Sequence, residues 1–143
     1  MILANYLGLN LKSDEVIELL DSLDMQVVYD FDRLHENTPD SYSSSSKSTG
    51  FELRFNETQV LETIWCYMQP RHGFTQIDSG SVGVPVYASF EMAQSAAREL
   101  RIKTSEPREG KAWIRLELEN VWHHYEFDDQ GLALITLMLP WEK

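Results

Sequence analysis

"FELRFNETQVLETIWCYM" (residues 51–68) and "HHYEFDDQGLALITLM" (residues 123–138) decide the fold, because one reads as an echo of the other. Each runs through a Phe, then Asn or Asp, then an acid, a short polar turn and an apolar run. Phe55/Phe127, Asn56/Asp128, Glu57/Asp129 and Val60/Leu132 keep a constant offset of 72 residues. The offset then slips by one, and Ile64 aligns with Ile135. Each stretch alternates apolar and polar residues on both sides of its turn, which is the pattern of a β-hairpin. Gly131 permits a left-handed turn residue, and Asp128 and Asp129 suit turn positions.

The echo continues upstream. "LGLNLKSDEV" (7–16) matches "VGVPVYASFEM" (82–92) through Gly8/Gly83, Ser13/Ser89 and Glu15/Glu91, with one inserted residue. Ser13 and Ser89 are placed to cap helices, with acids following where the helix dipole is positive. Val16, Ile17, Leu20 and Leu23 recur at helical spacing and predict a helix over 13–24. Met92, Ala93, Ala96, Ala97 and Leu100 form the matching stripe. "MQVVYDFDR" (25–33) alternates Val27, Tyr29 and Phe31 against Val28, Asp30 and Asp32, as a strand does. "AWIRLELEN" (112–120), "VWHHYEFD" (121–128) and "GLALITLML" (131–139) are strands by the same test. "LHENTPDSYSSSSKSTG" (34–50) and "KTSEPREGK" (103–111) read as surface loops. The serine-rich part, 41–49, has no evident role.

The predicted fold is therefore α+β: a tandem αβββ repeat giving an antiparallel sheet with two helices packed on one face. It is a single domain, 1–143, with halves 1–69 and 82–143 joined by a linker at 70–81. Neither half can bury its sheet face alone, whereas two together make one core.

Composition limits the function. The 143 residues are 43% hydrophobic and carry a net charge of −11, so the chain is globular and acidic. From Ser13 to Asp40 nine acids stand against Arg33 alone, a net −8 over 28 residues. Such a field opposes nucleic acid and favours a basic protein partner, although solubility alone also accounts for acidity. Cys66 is the single cysteine, so neither an internal disulfide nor a thiolate zinc cluster is expected. No signal peptide or apolar span is evident, so a cytoplasmic protein without membrane contact is expected.

No nucleophile elbow, phosphate loop or dinucleotide fingerprint occurs, so no enzyme, catalytic residue, cofactor or metal centre is expected. Asp30 and Asp32 share a strand face and could hold a divalent cation, but the motif is short and common, and an exposed strand face explains them better. His123 and His124 are adjacent on a strand and point to opposite faces, so they do not share a metal. Cys66, between Trp65 and Tyr67, reads as core filler. Strand parity offers a more pointed site. With Ile114, Leu116 and Leu118 inward, Trp113, Arg115, Glu117 and Glu119 face outward. Trp122, His124 and Glu126 follow on the next strand, and Glu52 and Arg54 join them. Asp30, Asp32 and Glu36 of the acidic segment complete the candidate partner-binding set. Tryptophans set among carboxylates suit anchoring of a basic partner, and they equally suit a homodimer seam.

"GFELRFNETQVLETI" and "WHHYEFDDQGLALITLM", in a small acidic chain without motifs, resemble the immunity proteins of bacterial polymorphic toxin systems. The "DDQG" turn followed by "LALITLM" is the most characteristic part. The doubled helix-plus-sheet plan is also similar to the beta-lactamase-inhibitory protein, which grips an enzyme with an open sheet face. The resemblance implies stoichiometric neutralisation of a cognate toxin, and the charge points to a cationic one such as a nuclease. It carries over no site residue. An adaptor or chaperone for a secreted effector, or a small ligand-binding domain, are the alternatives.

Overall fold

The computed structural model describes residues 1–31 and 37–140. After a 3-10 turn at Leu3–Tyr6 come helix α1 (Asp14–Ser22) and strands β1 (Val28–Asp30), β2 (Ser41–Ser46), β3 (Phe51–Phe55) and β4 (Leu61–Tyr67). A second 3-10 turn, Ser79–Ser81, precedes helix α2 (Phe90–Leu100) and strands β5 (Lys103–Ser105), β6 (Trp113–Glu117), β7 (Trp122–Asp128) and β8 (Gly131–Met138). The strands form one antiparallel sheet in the order β1-β2-β3-β4-β8-β7-β6-β5. The last strands of the two halves, β4 and β8, meet at the centre through pairs such as Trp65–Thr136.

Among the described residues each half thus has four strands, not the three expected. The strands that sequence periodicity overlooked are β2, inside the serine run, and β5, inside the predicted 103–111 loop. "SYSSSS" has no apolar period, but its partner does. β3 offers a full ladder, Tyr42–Phe55 to Ser46–Phe51, and tertiary pairing overrides the weak strand propensity of serine. Two buried serines are satisfied there: the Ser44 hydroxyl donates to the Gln26 carbonyl at 2.6 Å and Ser46 to the Thr49 hydroxyl at 2.8 Å. Of the expected 25–33 strand, the described residues 25–31 form only the three exposed residues of β1 at the sheet edge, while 32 and 33 lie outside the described residues.

Local chemistry sets the helices as anticipated. The hydroxyl of Ser13 accepts from the Val16 N–H at 3.4 Å, and that of Ser89 from Met92 N–H at 3.2 Å. The buried faces differ from the predicted stripes. In α1 Val16, Leu19 and Leu20 are inside while Ile17 is exposed. In α2 Phe90, Ala93 and Ala97 are inside, while Met92 and Leu100 are open to solvent. These helix residues join Phe51, Leu53, Phe55, Ile64, Cys66, Ile114, Leu116, Tyr125, Ile135 and Leu137 in one buried cluster. The strand members of that cluster stand opposite one another in the register, so they line one face of the sheet.

The two quoted hairpins share local geometry. The register shifts between Arg54 and Phe55 against β4, and between Glu126 and Phe127 against β8. Asn56 Oδ1 accepts from the Thr58 N–H at 3.0 Å, and Asp128 Oδ1 accepts from the Gln130 N–H at 2.8 Å. Both features recur at the 72-residue offset. Asp128 of the "DDQG" stretch therefore shapes the turn.

Candidate functional site

The face of the sheet away from the buried cluster is set by strand alternation. Glu52, Trp65, Thr136, His124 and Arg115 stand side by side in one row across β3, β4, β8, β7 and β6. The neighbouring row contains Arg54, Thr63, Met138, Trp122, Glu117 and Lys103. A third row runs through Tyr67, Leu134, Glu126 and Trp113. The register thus brings Trp113, Arg115, Glu117, Trp122, His124 and Glu126 onto a single outer face.

Two candidate residues fall elsewhere. Glu119 is not on β6, which ends at Glu117; it is exposed in the turn closed by the Leu118 N–H to Val121 carbonyl bond of 3.1 Å. Asp30 has outer-face parity but sits on the edge strand β1, accepting from the Ser43 hydroxyl at 3.2 Å. Asp32 and Glu36 lie outside the described residues. Trp65, overlooked as a surface residue because it sits in an apolar run, belongs to this face. Its signal was present: it alternates with Ile64 and Cys66, and both of those are fully buried.

Each tryptophan of the face has a glutamate directly opposite on a neighbouring strand: Trp65–Glu52, Trp122–Glu117 and Trp113–Glu126. All six residues are partly buried, and the Glu117 side chain is only 9% exposed. Arg115 binds Glu117 through Nη2 at 3.0 Å and Nε at 3.1 Å, and its guanidinium carbon lies 4.5 Å from the centre of the Trp122 ring. Lys103 reaches Glu117 at 3.8 Å, and the Ser105 hydroxyl donates to the same carboxylate. Burial by itself would raise the Glu117 pKa, but the bonds from Ser105 and Arg115, with the charges of Arg115 and Lys103, outweigh it and hold the group below the usual carboxylate value.

His124 occupies the middle of the face with its ring stacked on Trp113 at 5.1 Å and 26°. Burial, with the positive charge of Arg115, pushes its pKa down to about 4, so the ring is neutral near pH 7. Its Nδ1 is buried and has no hydrogen-bond partner among the described residues. His123 points the other way, into the core between Leu116 and Leu137, and burial lowers its pKa as well. Beside the tryptophans, Phe74 of the 68–78 segment stacks on Tyr67 at 4.1 Å and shields Tyr67 and Leu134. At the β4/β8 seam a half-open cavity of about 650 Å³ is lined by Arg54, Asn56, Glu62, Thr63 and residues 138–140. Cys66 is fully buried, and burial pushes its thiol up to about 12, which suits packing rather than nucleophilic chemistry.

Among the described residues no group of three or more His, Cys, Asp or Glu is placed to hold a metal. No helix among them is long and apolar enough to cross a membrane. Comparison with protein-family models, with curated proteins and with solved structures finds no match to this chain.

Proposed function

We propose that this chain is an immunity-type inhibitor that binds one basic toxin stoichiometrically through the outer face of its sheet. The observation that carries the reading is the set of three partly buried tryptophans, one in each of three adjacent rows and each opposite a glutamate, on the outer face from β3 to β6. Tryptophan supplies contact area at low entropic cost, and carboxylates select a cationic partner and speed its approach. The net charge of −11 acts in the same direction at longer range. A nuclease, with a cleft built for phosphates, is the toxin class that such a surface suits.

The reading includes the architecture. Two copies of one helix-plus-strands unit, joined edge to edge at β4 and β8 with both helices on the inner face, leave the opposite face open for a partner. The shared register shifts, the matching turns and the matching serine caps at corresponding positions support this duplication.

The test is co-expression with the toxin encoded beside this chain. Rescue of growth and a co-eluting complex are expected, with Trp113→Ala and Trp122→Ala weakening both. Neither rescue nor a complex would sink the proposal. The seam cavity favours a second reading, a small-ligand-binding domain, since Arg54 and Glu62 present paired polar groups to it, 3.4 Å apart. A thermal-shift screen against small metabolites, repeated with Arg54→Ala, separates the two.

A further inference from the structure

The three tryptophan–glutamate pairs of the outer face differ in how the carboxylate is satisfied. At Trp122–Glu117 a cation from the chain itself is held in two ways, by the ring and by the carboxylate: this is Arg115, 4.5 Å from the ring centre and 3.0 Å from Glu117. At Trp65–Glu52 the carboxylate accepts the Tyr67 hydroxyl at 3.3 Å. At Trp113–Glu126 the glutamate, a partly buried residue, stands between Trp113 and Leu134 in the strand register, with neither a hydrogen bond nor an ion pair among the described residues.

Any partner that covers Trp113 also takes Glu126 out of water. An apolar or acidic partner surface would then bury an unpaired carboxylate, which is strongly unfavourable. A cation removes that cost and gains the ring as well, because the indole face is negative. Arginine fits better than lysine. Its planar head stacks on an aromatic ring while its N–H groups reach a carboxylate beside it, as Arg115 does at the neighbouring pair. The stack of Trp113 on His124 holds the indole in position beforehand.

We infer that the Trp113–Glu126 pair is the docking point for an arginine side chain of the partner protein, reproducing with a foreign guanidinium the contact that Arg115 makes at Trp122–Glu117. The inference rests on the reading that the outer face binds a basic protein, and it names the contact by which it does so.

The probe is N-acetyl-arginine amide, with N-acetyl-citrulline amide as the uncharged control of similar shape, titrated into the full chain labelled with nitrogen-15. The Trp113 indole N–H and the Glu126 amide signals are expected to move with the arginine compound and not with citrulline. Glu126→Gln, which keeps the side-chain shape, should weaken that response about tenfold, whereas Glu119→Gln, in the exposed turn, should leave it unchanged. Equal response to both compounds, or an unaltered response in Glu126→Gln, overturns the inference. In the toxin complex the same Glu126→Gln substitution should weaken binding about tenfold. A complex that forms but ignores Glu126→Gln sinks this inference and leaves the inhibitor reading standing. No toxin complex, with the arginine response intact at Trp113, sinks the inhibitor reading and leaves the arginine site standing.

Discussion

Arg115 lies with its guanidinium carbon 4.5 Å from the centre of the Trp122 ring. The same head bonds to Glu117, whose side chain is only 9% exposed, so a stacked cation covers a carboxylate largely removed from water. Arg115→Ala removes the main counter-charge and leaves Lys103, 77% exposed and 3.8 Å away, to serve it. A loss of about 1–3 kcal/mol is expected in urea unfolding at pH 7. Arg115→Lys should recover only part of it, because an ammonium neither forks nor stacks as a guanidinium does.

Acid should weaken the fold in two stages. The His124 pKa is depressed from 6.5 to about 4, so between these values the unfolded chain binds a proton that the folded chain does not. Stability therefore falls as pH drops through that window. His123 is shifted in the same direction and adds to the effect. Glu117 acts lower: its folded pKa lies below its ordinary 4.5, so its contribution is present above that value and disappears as pH falls through the folded pKa. Melting temperatures from pH 7 to pH 4 should decline for the natural chain and decline less for His124→Gln. A flat profile between pH 6.5 and pH 4 would contradict the neutral, buried imidazole.

Cys66 should be inert to thiol reagents in the folded state. It is fully buried and its thiol is pushed up to about 12, so thiolate is scarce even where a reagent arrives. Labelling by a disulfide reagent at pH 8 should follow the rate of opening and become rapid in denaturant. Fast labelling of the native chain would be the contrary result.

Gly50 closes the turn between β2 and β3 with φ +104°, and a Cβ there would meet the Thr75 carbonyl oxygen at 2.3 Å and the Ile77 nitrogen at 2.8 Å. The approach is needed because the Ser46 carbonyl accepts the Gly50 N–H and the Gly50 carbonyl accepts the Tyr67 N–H, tying the turn to the sheet. Gly50→Ala should cost about 3 kcal/mol or more. It should also disturb the Phe74–Tyr67 stack, because both contacts belong to the segment that carries Phe74. Near-ultraviolet circular dichroism reads that second effect.

A third buried group tests the seat of the core. Tyr125 is fully buried and donates from its hydroxyl to the Pro85 carbonyl at 2.7 Å, anchoring the approach to α2. Tyr125→Phe leaves that carbonyl without its donor and should cost about 1–2 kcal/mol by chemical denaturation.

Much of this was legible in the residues alone, where the signal is local. Ser13 and Ser89 marked the helix starts, since a cap needs only the hydroxyl and the next turn of backbone. The period-two runs marked β3, β4, β6, β7 and β8, and with them which of Trp113, Arg115, Glu117, Trp122, His124 and Glu126 shared a face, because alternation follows from the pleat. The turn residues Asn56 and Asp128 were readable for the same reason.

Whatever depends on a distant strand was not readable. Ser41–Ser46 becomes a strand because β3 supplies the ladder, and Lys103–Ser105 because β6 does; neither segment carries its own period. Glu119 left the predicted strand because β6 stops where its pairing with β7 stops, at Glu117–Trp122. The pairing of each tryptophan with a glutamate is a matter of register between strands, to which no single strand's sequence refers. The residues by themselves determined which side chains face out; only the assembled sheet decided that Arg115 satisfies Glu117 while Glu126 stands beside Trp113 without a counter-charge among the described residues. The physical reason is that facing is a property of one strand's backbone, whereas charge neutralisation depends on distances across several.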